Sequence, residues 1–100
     1  MLSLWTPSRH STLTGGALMS LADTAGGLCA FLNLPEGAAG TTTVESKTNL
    51  LAAVREGTVT ASATPLKAGS TLIVVETEMR DTDGRLVAKT AQTQAVLRGD

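Results

Sequence analysis

The chain has 100 residues, 42% of them hydrophobic but only one Trp and one Phe, so a single domain with a core of Leu, Val, Ile and Ala is expected. A formal charge of −1 leaves no basic field of the kind that nucleic acids or anionic membranes require. The single cysteine, Cys29, excludes an internal disulfide and suits a reducing, cytoplasmic setting, and no apolar run of about eighteen residues offers a transmembrane helix.

Residues 1–13 show no clear period and are expected to form an irregular N-terminal segment, without the apolar run of a signal peptide. From Gly16 to about Asn33, the positions Leu18, Leu21, Ala22, Ala25, Leu28, Cys29 and Leu32 recur at three and four, the stripe of a helix. Thr14 is placed to cap its start, and Pro35 ends it. The rest of the chain alternates with period two. Thr41–Leu50, Gly57–Leu66, Thr71–Arg80 and Arg85–Leu97 read as strands, separated by Arg55-Glu56-Gly57, Lys67-Ala68-Gly69-Ser70 and Asp81-Thr82-Asp83-Gly84. The short gaps between the last three require antiparallel hairpins. One long helix on four antiparallel strands, an α+β domain, is the expected architecture.

Between Thr12 and Pro35 the only charged residue is Asp23. On projection, the face opposite the apolar stripe carries Gly16, Met19, Ser20, Asp23, Gly27 and Ala30, where a surface helix would carry Lys and Glu. A helix small or apolar all round is buried all round, and one sheet covers one face, so the second face is expected to meet another chain. Gly26 and Gly27 each cost about 1 kcal/mol of helix propensity, which implies a close approach by a neighbour. A carboxylate in such surroundings, without a cationic partner in its own segment, is a candidate functional group. Thr14-Gly15-Gly16 supplies a second element. The first turn of a helix carries free N–H groups that glycine leaves open to a ligand, and such donors stabilise an oxyanion. Asp23 lies two turns on, roughly 10 Å along the axis. Together these features favour acyl chemistry.

The stretch Gly15-Gly16-Ala17-Leu18-Met19-Ser20-Leu21-Ala22-Asp23-Thr24-Ala25 resembles the helix signature of the PaaI-like hotdog thioesterases. Thr42–Asn49 resembles the strand after that helix, Arg55-Glu56-Gly57 its turn, and Asp83–Ala88 the last hairpin, so the likeness runs from about Thr14 to Leu97. It implies a single hotdog domain, with a helix wrapped by an antiparallel sheet, dimers joined sheet edge to sheet edge, and tetramers built from them. It also implies hydrolysis of acyl-CoA thioesters, without metal or organic cofactor, in sites shared between subunits. By position, Asp23 would be nucleophile or general base and the Gly15 amide would polarise the thioester carbonyl. Thr43 falls near a position where family members place a hydroxyl from the partner chain. Thr14 and Gly16 would line the substrate site. The family's histidine before the two glycines is Thr14 here, its upstream asparagine is replaced at about Ser8, and its first strand is not recognisable. The second reading is therefore a hotdog module that binds acyl-CoA or only self-assembles.

Lys67, Ser70 and Arg55 fall at expected turns, where CoA phosphates could be held. Glu76 and Glu78 share a strand face read as solvated, His10 reads as a surface histidine, and Cys29 as a small core thiol. Gln92 and Gln94 also share a face and are assigned no role.

Overall fold

The computed structural model describes residues 2–6, 15–52 and 57–98. Its elements are β1 (Leu2–Thr6), α1 (Gly15–Leu32), β2 (Ala38–Leu50), β3 (Gly57–Ala68), β4 (Leu72–Arg80) and β5 (Leu86–Arg98). α1 ends where Asn33 turns back on it: the Asn33 amide donates to the Ala30 carbonyl at 3.1 Å and its side chain to the Cys29 carbonyl at 2.7 Å. Pro35, which has no N–H to give, follows two residues later.

The strands form one antiparallel sheet in the order β1-β3-β4-β5-β2, with α1 packed on one face, which is the hotdog arrangement. Period two decides what faces the helix. On β4, Ile73, Val75, Thr77 and Met79 are buried while the residues between them are partly exposed. The β4–β5 connection turns at Gly84 with φ of 84°, after Asp81 Oδ1 has accepted the Asp83 and Arg85 amides at 3.0 and 2.9 Å. That is an Asx-type turn closed by a left-handed glycine.

The first half of α1 buries Leu18, Leu21, Ala22 and Ala25 against Val59, Ala61, Met79, Val87 and Ala88. The second half buries Ala30 against Ile73 and Val75, with Cys29, Leu34 and Val96 at the margin. The contact face therefore rotates along the helix, as a straight rod on a right-twisted sheet requires. This corrects the single-stripe expectation. Ala30, assigned to the far face, is 0% exposed, whereas Leu28 and Leu32, assigned to the stripe, are 47% and 73% exposed.

A second correction concerns the N-terminal segment, expected to be irregular. Its residues Leu2–Thr6 form β1, which pairs antiparallel with β3, Leu2 opposite Ala61 and Thr6 opposite Gly57. Five residues are too few to display a period, and the strand exists by its pairing. Observed boundaries differ modestly elsewhere: β2 begins at Ala38 and β3 runs on to Ala68, so Lys67 lies inside a strand rather than in a turn. β2 pairs only with β5, so among the described strands its other side is a free edge thirteen residues long. Its register slips between Thr43 and Glu45, leaving Val44 as an extra, exposed residue.

Candidate active site

Gly15 and Gly16 are the first two residues of α1, so their amides belong to the turn whose N–H groups lack helical partners. No acidic residue in that turn competes for them. Asp23 stands mid-helix and exposed, and no hydrogen bond or ion pair joins it to another described residue. Its neighbours Met19, Ser20 and Thr24 are exposed as well, so in the single chain the second face of the helix is open. Thr24 Oγ1 is turned back onto the Ser20 carbonyl at 2.9 Å and offers Asp23 no partner.

On projection Asp23 lies about 60° from Gly26, and Gly26 lies against the Gln92 side chain of β5. A Cβ added there would overlap the Gln92 carboxamide, whereas one at Gly27 would meet nothing within 4 Å. Within one chain the close approach is at Gly26, where the missing side chain admits a polar one. Gln92 and Gln94 are 1% and 2% exposed. Gln92 Nε2 donates to the Ala22 carbonyl at 3.3 Å, and Gln94 Nε2 donates to Gln92 Oε1 at 2.9 Å and to Thr43 Oγ1 at 2.6 Å. Beside them the Thr48 and Thr90 hydroxyls are 2.7 Å apart. The polar relay joins Thr43, on the edge strand, to the helix turn immediately before Asp23.

The structure therefore brings Thr43 and the Asp23 turn to one flank of the helix. It does not bring Lys67 or Ser70 there within one chain. The Ser70 carbonyl accepts from Arg98 Nη2 at 2.8 Å, and Arg98 Nη1 donates to the Glu36 carbonyl just past the end of α1, also at 2.8 Å. Ser70 thus sits at the C-terminal end of a helix roughly 26 Å long, with Gly15 at the other end. Thr14, Ser8, His10 and Arg55 lie outside the described residues. Glu76 pairs with Lys89 at 3.3 Å and Glu78 with Arg80 at 2.8 Å, as a solvated face would.

A groove of about 300 Å³ opens on the opposite flank, between Leu28, Cys29 and Leu32 of α1 and Ala63 and Pro65 of β3. Burial pushes the Cys29 thiol above its ordinary range. Among the described residues no cluster of His, Cys, Asp and Glu could hold a metal ion, and no helix is long and apolar enough to cross a membrane. Sequence reasoning missed Gln92 and Gln94. Their signal was their phase, since both occupy positions in register with the buried Val75 and Ile73 of β4.

Residues 10–88 match the Thioesterase superfamily. The chain belongs to that superfamily. It is 40% identical over 90 residues to SSO2140 of Saccharolobus solfataricus, an esterase by name, a match covering 90% of this chain and 63% of that protein. Among solved structures it resembles the thioesterase HI1161 of Haemophilus influenzae, with a TM-score of 0.87 and 30% identity, over 96% of this chain and 69% of that one. It also resembles the BH2602 protein of Bacillus halodurans, solved with CoA, with a TM-score of 0.80 and 28% identity over 86% of this chain and 56% of that one. The chain spans about three-fifths of the length of its named sequence relatives, at 63% and 57%.

Proposed function

We propose that this thioesterase-superfamily chain hydrolyses acyl-CoA thioesters in the manner of the PaaI-like members, with Asp23 as its reactive carboxylate. The observation that carries the reading is Asp23 itself, the only charge on α1, exposed and unpaired among the described residues, seven residues beyond the Gly15-Gly16 helix start. The superfamily match and the relative solved with CoA support acyl-CoA as the substrate class.

In a site shared between subunits, the Gly15 and Gly16 amides of one copy receive the thioester oxygen as it gains charge, with Thr14 beside them. Asp23 comes from the other copy, since the amides and the carboxylate of one helix lie roughly 10 Å apart along it. Asp23 either attacks the thioester carbon, expelling CoA thiolate and forming an anhydride that water then opens, or takes a proton from water as water attacks. Either route yields free acid and CoA. Thr43 presents its hydroxyl to the same flank. Lys67 and Ser70, at the far end of the sheet, would meet CoA phosphates only from a second copy, so the complete site is shared between subunits. Those subunits pair through the free edge of β2 into a homodimer and on to a tetramer, in the cytoplasm.

The test is thiol release from short, long-chain and aromatic acyl-CoAs. Asp23→Asn is expected to remain folded and assembled, since an amide is easier to bury than a carboxylate, and to lose activity by about 10²- to 10⁴-fold. Hydrolysis unchanged within about threefold would remove Asp23 from the chemistry. The replacement of the family histidine by Thr14 favours a second reading, a module that binds acyl-CoA without turnover. That reading wins if the parent binds acyl-CoA and releases no thiol.

A further inference from the structure

The Gln92–Gln94 relay has a direction. The Ala22 carbonyl can only accept, so Gln92 must turn Nε2 toward it, which leaves Gln92 Oε1 facing Gln94. Gln94 must then answer with Nε2, whose second hydrogen goes to Thr43 Oγ1 at 2.6 Å. Both carboxamides are almost completely buried, so reversing either would set two acceptors or two donors against each other without water to relieve them. With its oxygen already accepting from Gln94, the Thr43 hydroxyl is left to spend its own hydrogen elsewhere. Thr43 is exposed, at the outer end of a relay that begins on the Ala22 carbonyl, next to Asp23.

We propose that Gln94, oriented by Gln92, is a positioning residue that fixes the Thr43 hydroxyl as a hydrogen-bond donor to the acyl-CoA thioester, a role that rests on the acyl-CoA reading above. A thioester carbonyl and the oxyanion it becomes are acceptors only, so a hydroxyl locked as a donor suits them and a freely rotating one suits them less. Gly26 belongs to the device, because any side chain there would displace the Gln92 amide. The oriented hydroxyl, tied to the turn before Asp23, is complementary to the Gly15 amide of the second copy.

The experiment is a double-variant cycle on Thr43 and Gln94 in the full chain, read by acyl-CoA hydrolysis. Thr43→Val keeps the shape and removes the hydroxyl. It is expected to lower kcat by at least about tenfold, the worth of one hydrogen bond to a charged oxygen, with KM changed less. Gln94→Met, which removes the donor and introduces no buried charge, frees the Thr43 hydroxyl to turn and is expected to lower kcat by less than Thr43→Val. Thr43→Ser should keep most of the parent rate. The combination Thr43→Val with Gln94→Met should be no slower than Thr43→Val alone. Independent, multiplying losses in that combination, or a folded Gln94→Met with parent kcat, would overturn the proposal. If the parent releases no thiol, the hydrolytic reading is the one that fails, and the same cycle is read on the Kd for acyl-CoA. Equal and non-additive weakening then supports the relay, and unchanged Kd values in folded Thr43→Val and Gln94→Met reject it.

Discussion

Thr77 and Gln92 show how differently one sheet face can treat buried polar groups. Gln92 both donates and accepts, whereas the Thr77 hydroxyl, 0% exposed opposite Thr90, has no hydrogen-bond partner among the described residues. The Thr90 hydroxyl is paired instead with that of Thr48. An unmet buried hydroxyl costs about 1–3 kcal/mol, so Thr77→Val, which keeps the branched shape, should raise the denaturant midpoint by an amount equivalent to about 1 kcal/mol. A lower midpoint would mean that the hydroxyl does find a partner in solution. The inward phase of Thr77, Gln92 and Gln94 was legible in the alternation of β4 and β5. Their bonding was not, because it depends on which strand lies beside which and on where the helix comes closest. Asp23 was legible for the opposite reason: a lone charge in an uncharged segment stands out with no knowledge of its neighbours.

At the scale of elements, α1 and β2 to β5 could be read to within a few residues, since each is long enough to repeat its period. β1 could not be read, being five residues whose strand character comes from the ladder with β3. The helix face was misread at Leu28, Ala30 and Leu32 because the twist of the sheet, not the helix, rotates the contact line. The two adjacent glycines test this account. Alanine should gain about 1 kcal/mol of helix propensity at either position. At Gly26 the new methyl displaces the Gln92 amide and leaves a buried carboxamide unmet, so Gly26→Ala should melt at a lower temperature than the parent despite that gain. Gly27→Ala meets nothing within the chain and should melt no lower. If the two variants melt alike, the close approach of β5 to α1 is not what the glycine serves.

The whole molecule leaves apolar surface uncovered, with Met19, Phe31 and Leu32 on the helix and Val44 and Leu50 on the edge strand all about half exposed or more. Scattered exposed apolar residues are ordinary, but here they accompany a thirteen-residue strand edge with bare N–H and C=O groups. Edge-to-edge pairing of two copies satisfies the backbone and covers β2 in one step. Light scattering at micromolar concentration should therefore give at least twice the 10.2 kDa of one chain. A mass of one chain would show that the edge stays open and that no site is shared.

The extra residue in β2 has a consequence for how that strand can change. Thr41 and Thr43 lie opposite Val96 and Gln94, while beyond the slip it is Ser46 and Thr48 that lie opposite Gln92 and Thr90. The inward set switches from odd to even positions at Val44, as a reading frame shifts at one inserted letter. Without that shift Glu45 and Lys47 would be turned toward the helix, and charges would replace hydroxyls beside the relay. Val44 is thus the position in the middle of β2 where one residue can be lost while both halves of the strand keep their frame; a single deletion on either side inverts every side chain between itself and the bulge.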